Sequence, residues 1–599
     1  MLLVTRTGYG KSHVMRTLGV LMNGVAVIFV PLLSLSADQM NKMKEADQKY
    51  GTVETHHLDE LPTDDGSQTL NTLVNRIAQL KEDTTSTIFL FTSPQFLCQR
   101  SNKPLLDELL SAHERHVLRV VGIDEAHLFV QHSSFRVEIH MLTELFFKRV
   151  FDKERPESDP VLLAMTATMP EQFVPKLEAL TAIKIPLVRP PEIDHFAQRH
   201  IKMEFGVNCV SFVPELDRLV GVITDSIKNE EHSDSECVVV LTTLASTASH
   251  LEEKLCEKLN KKRCDVDVVV VHGQLHKLDK FYNMRLFCAK MAYEHFRPRA
   301  LVTNGAGNTG IDSDKITEML RAGWAMDLPT VFQERGRCAR GDDMTGCIRY
   351  ITNIQSLLQC LYLLHNLQSS TKSDDDATNA NYRVGSAIQH ARTDSSEMTD
   401  SNVDKNVMKM CKIRMAKGRA ELLAEKRAML LEVMKFFCLD LGCYHLRAEH
   451  YLFHGRLVPV DKRKRCNDMC SMCDGDWATK HRRVSKRMLI SWFLSSDFTE
   501  PVKTDDPHSL TNMLWKGKKD SEQNREEDFW VKKIFDVNSK KSLKKYHVEC
   551  LMQSLIAAEI ITWKINGGKV EWWLNRVIKD EIPECCYLDD EYWKGIPLL

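Results

Sequence analysis

Short, uninterrupted apolar runs recur through the first half of this chain. Val25 to Val30, Thr87 to Phe91, Val117 to Ile123 and Val161 to Met165 are each bounded by polar segments and separated by longer stretches of helical composition. A run without polar alternation offers no face to water, so it reads as a strand buried on both sides. Such strands belong to parallel sheets covered by crossover helices. After the proline-rich break at Pro186, Pro190 and Pro191 the rhythm restarts with Cys237 to Leu241, Val266 to Val271 and Ala300 to Thr303. The pattern predicts two α/β lobes in tandem, over residues 1–195 and 196–365.

The remaining length calls for further domains, because 599 residues exceed what one core organises. Residues 366–405 are rich in Ser, Thr, Asp and Asn and poor in large apolar groups, which predicts a disordered linker. Met408 to Leu439 turns helical in composition and leads into a cysteine cluster, giving a helical module over 406–480. In the last segment, 481–599, a helix-like run from Tyr546 to Glu559 precedes two β-rich runs around Asn566-Gly567-Gly568. Helix plus hairpin predicts a winged-helix-like end. Gly19 to Leu33 is apolar but interrupted by Asn23 and too short for a bilayer span, so it is expected to be buried core.

Charge does not select a partner class, since 80 Lys and Arg balance 82 Asp and Glu. The 18 cysteines are too sparse and irregular for a disulfide scaffold, which indicates a reducing compartment.

Two motifs carry chemistry. A strand-like Leu2 to Thr5 enters Thr7-Gly8-Tyr9-Gly10-Lys11-Ser12 and then a helical run. Glycines let backbone amides turn toward phosphate oxygens, the lysine reaches the β and γ phosphates, and the serine hydroxyl can ligate magnesium. At the end of the run closing with Ile123 stand Asp124-Glu125-Ala126-His127, where an open α/β sheet places its ligands. Asp124 is suited to hold magnesium through water and Glu125 to orient or deprotonate the attacking water.

With these motifs the sequence resembles the superfamily 2 helicases, and more narrowly the RecQ family. TGYGKS resembles motif I, Pro31 to Gln39 motif Ia, DEAH motif II and Thr166-Ala167-Thr168 motif III; Thr303 to Asp312 resembles motif V and Gln333 to Arg340 motif VI. The resemblance implies two tandem RecA-like lobes, a helical zinc-binding module and a winged-helix-like domain. It further implies ATP and Mg2+ held by Thr7, Gly8, Tyr9, Gly10, Lys11, Ser12, Asp124 and Glu125, with Arg337 and Arg340 stabilising the transferring phosphoryl. His127, Thr166, Thr168 and Gln333 would couple nucleotide state to a bound strand. The implied activity is 3′ to 5′ tracking on single-stranded DNA and unwinding of partly duplex DNA, in recombination or repair.

The chain departs from the family in three places. It begins almost on the phosphate loop, so the strand, helix and adenine-reading glutamine that precede it in relatives have no counterpart here; either the sequence is a fragment or base selectivity is weak. Between Gln131 and Arg136, where relatives carry a tryptophan-bearing aromatic loop, the loop is shorter and only Phe129 and Phe135 are aromatic. Asn308-Thr309 also departs from motif V. These departures define the alternative, a relative that binds nucleic acid without unwinding it; an RNA helicase is the third reading.

Cys466-x3-Cys470-x2-Cys473 supplies three thiols, with Cys443 the favoured fourth ligand by resemblance and Cys438 its competitor. Four thiolates suit structural Zn2+. Lys462 to Arg465, Lys480 to Arg483 with Lys486-Arg487, and Lys540, Lys541, Lys544 and Lys545 are basic clusters fit for phosphate contacts. The first also reads as a nuclear localisation signal, which places the protein in the nucleus. Trp563, Trp572 and Trp573 are either a stacking surface for bases or buried strand aromatics.

Overall fold

A computed structural model describes residues 1–30, 53–60, 66–151, 160–228, 236–264, 266–288, 298–305, 311, 313, 315–340, 344–369, 407–412, 419–439, 442–458, 460–461, 463–474, 502–504, 545–566 and 569–574. The described residues divide into two units. The first holds those of Met1–Phe196, Gly385–Leu422 and Tyr451–Arg456; the second holds those of Ala197–Val384, Leu423–His450 and Leu457–Leu599.

Seven parallel strands form the sheet of the first unit: β1 Leu2–Val4, β2 Gly24–Phe29, β3 Val53–His57, β4 Thr87–Thr92, β5 Leu118–Ile123, β6 Val161–Thr166 and β7 Leu187–Val188. Their order is β3-β4-β2-β5-β6-β1-β7. Every residue of β2 and β4 is buried, as their unbroken apolar sequences require. Each large aliphatic side chain so buried contributes about 1.5–3 kcal/mol. The helix Lys11–Met22 lies on this sheet with almost no clearance. A Cβ at Gly19 would stand 2.4 Å from the Phe89 ring, and one at Gly122 would stand 2.6 Å from the Met15 sulfur. The two glycines therefore let the helix that follows the phosphate loop sit directly on β2, β4 and β5.

The apolar stretch from Gly19 is not one buried block. Its first part is the exposed end of that helix, with Leu21 at 73% exposure. Asn23 and Gly24 then take positive φ values of 52° and 85°, which stops the helix and turns the chain into β2.

The second unit holds six parallel strands: β8 Ile201–Val207, β9 Cys237–Thr242, β10 Asp267–Val271, β11 Pro298–Thr303, β12 Ile316–Ala322 and β13 Gly346–Thr352. Their order is β10-β11-β9-β12-β13-β8. Leu219, Val220, Val238, Val240, Leu251, Leu255, Val302 and Leu320 lie in its core. Each unit is thus built around a parallel α/β sheet, as the tandem-lobe reading expects. The apolar-run signal did not find β8, β12 and β13, because they carry charges that the fold pairs internally. Arg349 meets Glu318 at 3.2 Å and Glu215 at 3.0 Å, and Arg321 meets Glu334 at 3.1 Å.

The helix Ile354–Ser369 runs past the boundary expected at residue 365, so the first four residues of the expected linker, 366–369, are helical; the rest of that segment lies outside the described residues. Helices Arg419–Cys438 and Tyr444–His454 follow. A small antiparallel sheet, β14 Val502–Thr504, β15 Ile561–Asn566 and β16 Lys569–Leu574, pairs in the order β14-β16-β15. The helix Lys545–Ala557 precedes its hairpin and spends its polar side chains on the second lobe. Thr352 donates to Gln553 Oε1 at 3.1 Å, and the Ile354 amide donates to Glu549 Oε1 at 2.7 Å. Trp563 and Trp572 are buried, 5% and 1% exposed, and the Arg427 guanidinium lies 4.5 Å over the Trp563 ring. For these two rings the buried alternative holds. No helix among the described residues is long and apolar enough to cross a membrane.

Candidate active site

Parallel register brings the two sequence motifs of the first unit to one edge of its sheet. Val4 pairs with Thr166, and Ile123 pairs with Ala164, so the residues that follow β1, β5 and β6 all emerge at the carboxyl ends of neighbouring strands. The phosphate loop leaves β1 here. Gly8 and Gly10 hold φ of 82° and 79°, values that disfavour any side chain, and Gly10 precedes the first turn of the helix. This aims the helix amides back across the loop, the arrangement that binds anions. Thr7 and Gly8 sit in the turn, Tyr9 is 57% exposed, and Lys11 and Ser12 open the helix. The Lys11 ammonium donates to the Thr5 and Arg6 carbonyls, each at 3.1 Å, within the loop it would share with a phosphate.

Asp124 is 4% exposed, and its Oδ1 accepts the Glu125 amide at 3.0 Å. Glu125 takes φ 47°, a left-handed conformation costly for a glutamate. Its carboxylate faces a buried chain. Thr166 Oγ1 lies 2.6 Å from His127 Nδ1 and 3.4 Å from Glu125 Oε2, and it also accepts the Thr168 amide at 3.2 Å. Four of the expected residues, Glu125, His127, Thr166 and Thr168, are thus one hydrogen-bonded group. Thr168 Oγ1 is buried with no hydrogen-bond partner among the described residues.

In the second unit, Gln333 lies on the helix Leu328–Arg335, and Arg337 and Arg340 lie in the turn that follows. Arg337 is buried and donates to the Ile311 carbonyl at 3.0 Å, while Arg340 Nε donates to Gly336 O at 3.1 Å. Pro31 to Gln39, and Ala306 to Gly310 with Asp312, lie outside the described residues. Phe129 is packed in the core against Phe147, so of the two aromatics expected near the shortened loop only Phe135 stands in it, beside His132 and Arg136.

Cys443, Cys466, Cys470 and Cys473 are all buried, with their sulfurs within 4.8 Å of one another; Cys438 is not in the group. A tetrahedral ion with bonds of about 2.3 Å needs sulfurs about 3.8 Å apart. Cys443 and Cys470 stand at 3.8 Å. Hydrogen bonding to Cys443 holds the Cys470 thiol down and the Cys466 thiol up, so the cluster divides its protons unevenly. The donor set fits structural zinc.

The motif turns away from obvious partners conceal two residues that the sequence did not single out. Arg335, fully buried, donates to the Gln198 carbonyl at 3.1 Å and lies 3.3 Å from His445 Nδ1. His445 Nε2 meets the Met469 carbonyl of the cysteine turn at 2.9 Å, and burial with the Arg335 charge pushes its pKa down to about 4. Motif VI and the cysteine module are therefore bolted together inside the second unit. No signal in the sequence pairs residues 110 positions apart.

Residues 1–176 match the family model of the DEAD/DEAH box helicase. The match lies within the first lobe. The chain is 23% identical over 392 residues to the ATP-dependent DNA helicase RecQ of Bacillus subtilis, covering 62% of this chain and 54% of that one. It is 22% identical over 369 residues to the RecQ-like DNA helicase BLM of Xenopus laevis, covering 59% of this chain and 23% of that one. It therefore spans about half or less of the length of these relatives. Among solved structures, the DUF1998 helicase MrfA bound to DNA aligns with a TM-score of 0.43 at 16% identity, over 62% of this chain and 50% of that one.

Proposed function

We propose that this helicase-domain protein is an ATP-dependent DNA helicase or translocase. One observation supports this most strongly: the phosphate loop, the Asp124-Glu125 pair and the Thr166–His127 group share one edge of one sheet. In this reading Lys11 and the loop amides hold the β and γ phosphates, and Ser12 and Asp124 hold Mg2+, which supplies charge neutralisation when bound. Glu125 orients the attacking water, and Arg337 and Arg340 stabilise the transferring phosphoryl. Thr166 and Thr168 relay the state of Glu125, because Thr166 touches both Glu125 and His127. Cys443, Cys466, Cys470 and Cys473 hold a structural Zn2+. Tracking is 3′ to 5′ on single-stranded DNA. The exposed Arg463 and its basic neighbours serve phosphate contacts or a nuclear address.

The test is hydrolysis by the full chain with Mg2+, with and without single-stranded DNA or RNA, followed by strand displacement on 3′-tailed and 5′-tailed duplexes. DNA-stimulated hydrolysis, abolished in Lys11→Ala and Glu125→Gln, is expected; hydrolysis unchanged in both variants overturns the reading. The burial of Phe129 favours a second reading, a nucleic-acid binder that does not unwind. DNA binding at ordinary affinity without strand displacement selects it.

A further inference from the structure

The segment Arg189 to Phe196 closes the first unit and ends in a short turn, Ile193–Phe196, whose last residue is fully buried. That burial, with an edge contact of Phe196 on the Phe453 ring at 6.3 Å, fixes where His195 points. Its Nε2 lies 2.6 Å from the Thr5 hydroxyl, and its ring meets the Tyr9 ring edge-on with centroids 4.1 Å apart. Thr5 is where the chain leaves β1 for the phosphate loop, and Tyr9 is near the tip of that loop. One imidazole therefore touches both ends of the loop, from 190 residues away in sequence.

The rest of the contact set gives this brace a consequence. Thr5 is 3% exposed, and its amide donates to Thr166 O at 3.2 Å, so its backbone is already fixed to β6. Its carbonyl is one of the two acceptors that hold Lys11. The Arg6 guanidinium lies over the Tyr9 ring, 5.6 Å from its centroid. Burial and the charges of Arg6 and Lys11 hold the imidazole pKa down, which keeps the ring neutral and lets Nε2 accept the Thr5 proton.

We propose that His195 is a positioning residue of the nucleotide site, fixing Thr5 and Tyr9 so that the loop is preformed for the polyphosphate of a nucleoside triphosphate. This rests on the nucleotide-binding reading above. A loop that must order itself on binding loses affinity by the cost of that ordering, and a loop held beforehand does not. His195 acts through Thr5 and Tyr9, so its removal weakens binding more than it slows the bound chemistry.

The experiment uses the full chain and a fluorescent ATP analogue with Mg2+, together with KM and kcat for ATP. His195→Phe keeps an aromatic ring beside Tyr9 and removes the acceptor; His195→Gln keeps a side-chain acceptor; Thr5→Val removes the donor at nearly constant volume. His195→Phe and Thr5→Val are each expected to weaken analogue binding about fivefold, the size of one net hydrogen bond. KM should rise by a similar factor while kcat moves less. His195→Gln should restore most of the loss, and His195→Phe/Thr5→Val should be no weaker than either single variant. Three results overturn the inference: affinity like wild type in His195→Phe and Thr5→Val, a double variant whose loss is the product of the two single losses, or no rescue by Gln. A wild-type chain that binds no analogue overturns the nucleotide reading itself, and this inference with it.

Discussion

In the seven-stranded sheet the charged residues that matter stand at strand ends and in loops, whereas in the six-stranded sheet they run through the strands themselves. Lys11 rests on two backbone carbonyls, and Glu125 is held at a strained φ beside a threonine hydroxyl. Arg321 in β12, by contrast, donates to the Thr242 carbonyl, the Thr243 hydroxyl, the Trp324 carbonyl and Glu334 together. Arg349 in β13 is likewise shared between Glu318 and Glu215. Charge at the strand ends of the first sheet faces the loops of the proposed site; charge within the strands of the second, at Arg321 and Arg349, is spent on holding that lobe together. Removing a charge should therefore cost activity in one and stability in the other.

The largest effect should come from the cysteine module, which extends the β8 edge of the second sheet. Met203 bridges Cys470, and the Met203 amide and carbonyl bond Met469 and Ser471 at 2.9 Å each. Chelation, or Cys470→Ser, should release close to one zinc per chain and lower the melting temperature of the second lobe sharply. Structural zinc sites contribute on the order of 10 kcal/mol to the folds they close. A chain purified without zinc and equally stable would remove the module from the comparison.

Next is the pair buried in the second sheet. Glu334→Ala leaves Arg321 uncompensated at 3% exposure and should cost about 3–5 kcal/mol in denaturant unfolding. Lys11→Ala and Glu125→Gln supply the opposite half: hydrolysis should fall about a hundredfold or more, with melting temperatures near that of wild type. If either variant unfolded like Glu334→Ala, the division of labour between the sheets would fail.

A smaller effect belongs to the turn after the helix Tyr444–His454, where Gly455 packs on Met169 and Pro170 within the first unit. Gly455 takes φ 77°, and a Cβ there would lie 2.5 Å from the Met169 carbonyl. Gly455→Ala should cost about 1–3 kcal/mol in thermal unfolding. The smallest change concerns Trp563. Because the ring is buried, Trp563→Phe should leave single-stranded DNA affinity within about twofold across a salt titration; a larger loss would return the ring to a nucleic-acid surface.

Much of this was legible beforehand, and the parts that were not share a cause. The strands from β2 to β11 that carry unbroken apolar runs announce themselves, since their burial is written residue by residue. β8, β12 and β13 escape because Glu204, Glu318, Arg321 and Arg349 look like solvent-facing residues until their partners are known. The four cysteines are legible as a ligand set by spacing and resemblance, but the exclusion of Cys438 needed coordinates. Phe129 looks like a loop aromatic in sequence and is a core residue, because the helix Ala126–Ser133 turns it inward.

By itself, the sequence determined the parallel α/β lobes, the phosphate-loop motif, the acidic pair after β5 and three of the four clustered thiols, Cys466, Cys470 and Cys473. Each depends on local composition or on spacings of a few residues, which chain geometry converts directly into structure. Only the tertiary structure decided that His195 braces Thr5 and that Arg335 meets His445. The tertiary structure also decided that the charges of β12 and β13 neutralise one another. Those contacts join residues far apart along the chain, so nothing in local sequence selects them; they exist because hydrophobic burial first brings the strands and helices together, and the buried polar groups must then find partners.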